Sequence, residues 1–183
     1  MAEDEARFGL ISWHKRCYCP LGQRPPCLQQ RIYEWTWFYA ALEPLTGESF
    51  CLYLPHLPRL DGDCYQLFLN HLARAYPDDL IILIRDNAPA HINSELVVPA
   101  NIRHVALPPY SPELNPVERF FLEFRRALAN CTFDTIDALH QAISEVLDLF
   151  TTDQERLELL TNFPWWWFGV TSLYDILAVS WYE

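Results

Sequence analysis

The chain has 183 residues, of which 51% are hydrophobic and 15% aromatic, and a formal net charge of −11. This composition excludes a disordered chain and predicts one domain with a sizeable core. The sequence shows neither a run of 18 apolar residues nor the basic, apolar start of a secretory signal, so we expect a cytoplasmic protein. The acidity argues against a general nucleic-acid binder, although residues 131–183 hold nine of the acidic groups and one of the basic groups.

Three strands are predicted in the first third of the chain. Residues 7–13 have strand-forming side chains at most positions, and residues 14–30 form a loop with three prolines and three cysteines. Residues 31–42 and 49–54 are the second and third strands. The short turn between them makes these two strands antiparallel.

A helix and two further strands follow. Apolar side chains recur with helical spacing in residues 61–76, with Asp61 or Asp63 as the N-cap. Residues 80–84, LIILI, form a continuous apolar run that is typical of a strand buried on both faces. A helix between the third and fourth strands allows these two to be parallel. A shorter strand is predicted at residues 102–107, before a rigid proline-rich segment at residues 108–112.

Helices dominate the remainder. Asn115 as N-cap and Pro116 as the first helical residue predict a helix, and its buried face would comprise Val117, Phe120, Phe121, Phe124 and Leu128. Further helices are predicted at about residues 135–150 and 153–161. The element order βββαβ(α)βα therefore predicts an α/β fold with a mixed five-stranded sheet and C-terminal helices.

Three carboxylates stand out by their placement. Asp4 lies in or just before the first strand, Asp86 follows the fourth strand, and Glu118 lies in the first turn of a helix. If the first and fourth strands are neighbours, the three side chains could converge. Clustered carboxylates are the ligands that two Mg²⁺ or Mn²⁺ ions require.

Each carboxylate also has a purely structural explanation. Asp4 could be a solvated charge near a terminus, Asp86 could begin an Asx-turn, and Glu118 could be a capping-box glutamate that folds back on Asn115. Glu5 should point to the opposite face of the strand from Asp4, so it is not predicted to be a ligand.

Four segments together resemble the catalytic domain of DDE transposases. They are DEARFG at residues 4–9, GQRP at 22–25, DNAPAH at 86–91 and LPPYSPELNPVER at 107–119. The last segment is long and ordered, which makes a chance match improbable. The similarity is to the bacterial insertion-sequence group related to mariner elements, and it spans roughly residues 1–165.

This resemblance implies a ribonuclease H-like fold, with Asp4, Asp86 and Glu118 as catalytic acids that bind two Mg²⁺ or Mn²⁺ ions. In the family, one ion activates water or a DNA 3′-hydroxyl for in-line attack on a phosphodiester, which cleaves element ends and joins them to target DNA. The expected partners are therefore DNA and either a second copy or a full-length transposase.

Weaker candidates for DNA contacts are Asn87, His91, Arg119, Arg125 and Arg126. Asn87 and His91 could instead stabilise the turn after the fourth strand. The three arginines could instead be solvated helix charges.

Two departures from the family pattern concern the amino terminus. Transposases of this group carry a helix-turn-helix region that recognises element ends, and no such region precedes Met1 here. The first strand of the fold should also include several apolar residues before its aspartate, and here only three residues precede Asp4. We therefore expect a truncated protein with a catalytic core at 1–130, C-terminal helices at 131–165, a tail at 166–183 and no helix-turn-helix domain. Its first metal ligand would be mobile and its metal site weak or inactive.

Two alternative functions follow. One is a catalytically inactive transposase remnant that acts only by protein–protein interaction. The other is a ribonuclease H-type nuclease that acts on RNA in a hybrid, and the segment at residues 107–119 counts against it.

Cysteine and tryptophan clusters suggest other sites. His14, Cys17, Cys19 and Cys27 invite a zinc interpretation, but the Cys-x-Cys spacing is too short for the usual pattern, and free, buried thiols are favoured. The three tryptophans at residues 165–167 suggest a base-stacking platform, packing on the core, or cover for a surface that a lost domain or partner once covered.

Overall fold

The computed structural model describes residues 1–23, 25–55, 62–92 and 94–180. The strands in these ranges are β1 (Ala2–Ile11), β2 (Arg31–Glu43), β3 (Glu48–Pro55), β4 (Ile81–Arg85) and β5 (Ile102–Ala106). The helices are α1 (Gly62–Ala75), α2 (Val117–Ala127), α3 (Ile136–Thr151), α4 (Gln154–Thr161) and α5 (Pro164–Ser180). Two 3₁₀ turns occupy Pro89–Ile92 and Pro112–Leu114. None of the helices in these ranges is long and apolar enough to cross a membrane.

The five strands form one mixed sheet in the order β3-β2-β1-β4-β5. Strand β1 pairs antiparallel with β2 and parallel with β4, where Ala2 lies opposite Ile84. Strands β2 and β3 are antiparallel, and β4 and β5 are parallel. The predicted mixed sheet is therefore confirmed, and the condition set for the three acids to converge, that the first and fourth strands are neighbours, is met. The third and fourth strands run in the same direction but are not neighbours.

Alternation along β1 and β2 divides the core between the two faces of the sheet. On one face, Ala2, Ala6 and Phe8 pack with the buried side of α2. On the other face, Tyr39 and Ala41 of β2 pack with the buried side of α1. Because side chains alternate along a strand, Asp4 shares the face of Ala2 and Ala6, whereas Glu3 and Glu5 share the opposite face.

Helix α2 is held against the sheet by aromatic side chains. Its four buried residues are Val117, Phe120, Phe121 and Phe124. The ring of Phe38 in β2 lies 5.2 Å from that of Phe124, and the ring of Phe150 in α3 lies 5.2 Å from that of Phe120, between centroids. The face that α2 buries is thus the one that its helical periodicity predicts. This packing holds the first turn of α2 in place.

Strand β1 begins earlier than predicted. It starts at Ala2 rather than at Arg7, because residues 2–9 are paired with β2 along their whole length. The acidic segment AEDEA has weak intrinsic strand preference, so tertiary pairing overrides propensity here. The possible N-cap Asp61 lies outside the described residues, and Asp63 lies within α1 rather than at its cap.

The segment predicted as a tail contains a helix. Helix α5 begins at Pro164, a favoured residue for the first helical position, and runs to Ser180. The ring of Trp166 is 4% exposed and belongs to the core on the α2 face. Trp165 and Trp167 are 45% and 48% exposed. One tryptophan of the three therefore packs on the core as predicted, while two remain accessible to solvent.

All six cysteines are free thiols, as predicted, but not all are buried. Cys17, Cys19 and Cys27 are exposed. The prediction of buried thiols is wrong at these positions because residues 13–23 and 25–29, which connect β1 and β2, are all exposed. The Sγ atom of Cys27 lies 3.1 Å from Nδ1 of His14, which ties the two sides of this connection together.

Candidate active site

Asp4 lies inside a paired strand and not on a free end. The amino group of Met1 donates to the carbonyl oxygen of Ile82 at 2.8 Å, which fastens the start of β1 to β4. The Asp4 carboxylate accepts hydrogen bonds from the Glu5 backbone N–H at 2.8 Å and from the Asn115 side-chain amide at 3.3 Å. The first predicted ligand is therefore anchored, contrary to the expectation that it would be mobile.

Asp86 follows the last residue of β4, and its side chain is about half exposed (54%). Its Oδ1 atom accepts from the Ala88 backbone N–H at 2.8 Å, which is the Asx-turn considered as its structural explanation. The same oxygen lies 2.8 Å from Nδ1 of His91. The hydrogen bond from His91 lowers the pKa of Asp86, so this carboxylate is ionised at neutral pH.

Glu118 lies in the first turn of α2, and this helix begins one residue later than predicted. Pro116 occupies the N-cap position, and the Asn115 side chain accepts from the Val117 backbone N–H at 3.1 Å. The Glu118 carboxylate lies 3.5 Å from the guanidinium of Arg125, two turns further along the helix. In this structure Glu118 faces Arg125, which differs from the capping-box geometry.

The three carboxylates line one cavity of about 390 Å³. The walls of this cavity come from the loop after β4 and from the segment between β5 and α2, with residues 86–88, 107–112 and 115. Burial, together with the nearby charges of Glu5, Glu118 and Asp86, raises the pKa of Asp4 to about 8. The structure thus brings together the three acids that the sequence singled out.

Asn87 and His91 are placed by contacts within the protein. The side-chain amide of Asn87 donates to the Leu107 carbonyl oxygen at 2.9 Å, which ties the loop after β4 to the end of β5. His91 is 2% exposed and is hydrogen-bonded to Asp86. These contacts are those of residues that stabilise the turn, and a direct DNA contact by either residue stays a prediction.

The three candidate arginines on α2 have different surroundings. Arg125 is the one beside Glu118, and its guanidinium also lies over the ring of Trp13, 5.9 Å from the centroid. Arg119 lies over the ring of Phe163, 4.5 Å from its centroid. Arg126 pairs with Glu123 on the same helix. Of the three, Arg125 is the one that contacts a carboxylate lining the cavity.

Sequence reasoning missed a buried ionic cluster on the opposite face of β1. Glu3, Glu5 and His91 present ligand atoms that all lie within 4.8 Å of one another. The Nε2 atom of His91 lies 3.1 Å from Glu5 and 4.0 Å from Glu3, and Tyr65 donates to Glu3 at 3.5 Å. The available signal was the two-residue period of the strand, since Glu3 and Glu5 flank Asp4 and must share the other face.

The charges of this cluster compensate one another. Burial alone would lower the pKa of His91, but the hydrogen bonds to Asp86 and Glu5 and the charge of Glu3 together raise it to about 10. Burial raises the pKa of Glu3 well above its usual range. His91 is therefore the cation between the carboxylates of Asp86 and Glu5 at neutral pH.

The fold and the cavity define a ribonuclease H-like domain in which three carboxylates converge beside the central strands. Residues 2–140 match the DDE superfamily endonuclease family, and the chain belongs to this family. The uncharacterised protein y4pE/y4sA of Sinorhizobium fredii (strain NBRC 101917 / NGR234) is 37% identical over 106 residues, which cover 56% of this chain and 76% of that protein.

Two solved structures of Mos1 complexes share the fold. The Mos1 strand transfer complex superimposes with a TM-score of 0.68 at 20% identity, over 88% of this chain and 50% of the Mos1 chain. The mariner Mos1 paired end complex with Mg gives a TM-score of 0.64 at 22% identity, over the same shares of the two chains. This likeness confirms the predicted ribonuclease H-like fold. The chain spans about half the length of these Mos1 chains.

Proposed function

We propose that this domain cleaves and joins DNA phosphodiesters with divalent metal ions, as the catalytic domain of a transposase. The observation that carries the proposal is the shared cavity of Asp4, Asp86 and Glu118. Membership of the DDE superfamily endonuclease family supports it, as does the fold shared with a strand transfer complex.

The residues of the cavity fit divalent cations. Three carboxylates supply hard oxygen donors, which Mg²⁺ and Mn²⁺ prefer. Burial, and after it the charges of neighbouring carboxylates, raise the pKa of Asp4, and a bound cation would favour its ionised form. Asp4, Asp86 and Glu118 would hold two ions, which would supply Lewis acidity to both oxygens of an in-line displacement.

Neighbouring side chains would orient these ligands. The Asn115 amide donates to both the Glu3 carbonyl oxygen at 2.9 Å and the Asp4 carboxylate, so it links α2 to β1 at the site. Arg125 would contact a DNA phosphate beside Glu118. The partners that we propose are element ends, target DNA, and a second copy of the chain or a full-length transposase.

Metal-dependent nicking of supercoiled DNA tests the proposal. We expect Mn²⁺ or Mg²⁺ to support nicking by the wild-type domain, and Glu118→Gln to reduce nicking to the level seen with EDTA. Glu123→Gln is the matched control, because Glu123 lies on the same helix and pairs with Arg126 away from the cavity. This control should nick DNA like the wild type.

Other outcomes would favour the alternative functions. Equal nicking by the wild type and Glu118→Gln would contradict the metal-site assignment. Absence of metal-dependent nicking by a folded wild-type domain would favour an inactive remnant. Preferential cleavage of the RNA strand in an RNA–DNA hybrid would favour a ribonuclease H-type nuclease.

A further inference from the structure

Asp86 is the metal-ligand candidate with the least support from regular structure. It follows the end of β4, and its side chain is 54% exposed. An exposed carboxylate on a loop can rotate, and metal ligands must keep their positions to within a fraction of an ångström. The contacts of Asp86 Oδ1 with Ala88 and His91, both at 2.8 Å, therefore determine where the other carboxylate oxygen can lie.

His91 is itself held rigidly. Its side chain is fully buried, and its ring lies 4.2 Å from that of Tyr65 between centroids. Its Nε2 atom lies 3.1 Å from the Glu5 carboxylate. Because carboxylate oxygens accept hydrogen bonds, both ring nitrogens of His91 act as donors, one toward Asp86 and one toward Glu5.

We propose that His91, oriented by Glu5, is a positioning residue that fixes Asp86 for metal binding. The chain of contacts from Glu5 through His91 to Asp86 connects β1, which carries Asp4, to the loop that carries Asp86. It thereby fixes the position of Asp86 relative to Asp4, although the two ligands lie on different elements. This inference rests on the proposed function, since it concerns the same metal site.

The test measures Mn²⁺ affinity by calorimetric titration in six variants. His91→Leu removes both donors, and its Mn²⁺ dissociation constant should rise about tenfold or more, the usual effect of losing such a supporting contact. His91→Asn keeps an amide donor near the position of Nδ1 and should stay within about threefold of the wild type. Tyr65→Phe alters the same buried cluster without touching Asp86 and should bind Mn²⁺ like the wild type.

Glu5 offers a second pair of variants that leaves the His91 ring in place. Glu5→Gln keeps an acceptor for Nε2 but removes the charge, and it should bind Mn²⁺ nearly as the wild type does. Glu5→Ala removes the acceptor and should weaken binding. This pair separates positioning from charge, and it carries the test alone if His91→Leu fails to fold.

Several results would overturn the inference. Wild-type affinity in folded His91→Leu or in Glu5→Ala would show that the contacts do not position Asp86. Equal weakening by Glu5→Gln and Glu5→Ala would assign the effect to charge. Asp86→Asn is measured in parallel. If Asp86→Asn binds Mn²⁺ as the wild type does, the proposed function fails as well. If Asp86→Asn weakens binding and the His91 and Glu5 variants do not, only the positioning role fails.

Discussion

Asp4 is a mostly buried carboxylate whose surroundings disfavour its charge. Burial is the main cause, and the charges of Glu5 and Glu118 add to it, so that its pKa rises to about 8. A divalent cation would reverse this balance by favouring the ionised form. The free energy of unfolding of the metal-free domain should therefore depend on the protonation of this one residue.

Asp4→Asn should remove a pH-dependent loss of stability. Below about pH 4 the Asp4 carboxyl is protonated in both the folded and the unfolded chain. Between about pH 4 and 8 it is ionised in the unfolded chain but still protonated in the folded one, so the free energy of unfolding falls as pH rises. In EDTA, the variant should become more stable than the wild type across this window, by roughly 2–4 kcal/mol at pH 7. Urea denaturation at several pH values checks this, and a pH-independent difference would contradict it.

For single residues, prediction succeeded for the three acids of the cavity. It failed for the buried cluster of Glu3, Glu5 and His91 on the opposite face of β1. Asp4, Asp86 and Glu118 were recognised because they stand in motifs that resemble a family. Glu3 was not singled out from the sequence. It is fully buried and accepts a hydrogen bond from Tyr65 of α1, a contact between distant parts of the chain that no local pattern contains.

Helix α2 is the element on which the position of Glu118 depends. Phe120 is fully buried and packs between Phe124 and Phe150. Its spacing with the other buried residues made this face of the helix predictable. The pairing of the acidic start of β1 was not predictable, because it depends on strands β2 and β4 rather than on its own residues.

Phe120→Ala should destabilise the domain strongly. Deleting a fully buried phenylalanine costs about 3–5 kcal/mol of unfolding free energy, because both the transfer energy and the packing of its neighbours are lost. Leu122→Ala on the same helix is the control, since Leu122 is 40% exposed and should cost less than about 1 kcal/mol. Urea denaturation in EDTA measures both, and similar losses would show that α2 does not pack as described.

Arg125→Gln should weaken DNA binding without affecting stability. Its ion pair with Glu118 is partly exposed at both ends, so its loss should change the free energy of unfolding by less than about 0.5 kcal/mol. Loss of one phosphate contact should reduce the slope of log K against log salt by about one. Fluorescence anisotropy with duplex DNA and Ca²⁺ measures this slope.

Arg126→Gln is the matched control for that experiment. Arg126 pairs with Glu123 rather than with a carboxylate that lines the cavity, so its replacement should leave the salt slope unchanged. Equal effects of the two substitutions would indicate a diffuse charge contribution rather than a contact at the cavity.

For the whole molecule, charge is distributed unevenly along the chain. Residues 131–183 carry nine acidic groups and one basic group, while residues 1–130 carry 15 acidic and 12 basic groups and are much closer to neutral. The acidic part includes α3 and α4, so DNA should approach the cavity from the side of α2 and the loops. The acidity of the chain is thus compatible with a DNA-binding site when the charge is considered by region.

Most of the architecture could be predicted from the sequence, but its last helix could not. The order of strands and helices followed from apolar periodicity, whereas the position of β1 beside β4 could be stated only as a condition for the three acids to converge. Helix α5 was missed because its aromatic start, PWWWF, has neither an amphipathic period nor a capping signal other than Pro164.

The most direct measurement of the central claim is anomalous diffraction from crystals soaked in Mn²⁺. Our account predicts anomalous density in the cavity, within coordination distance of the carboxylates of Asp4, Asp86 and Glu118. Density between Glu3, Glu5 and His91 instead, or no density in the cavity at saturating Mn²⁺, would contradict it.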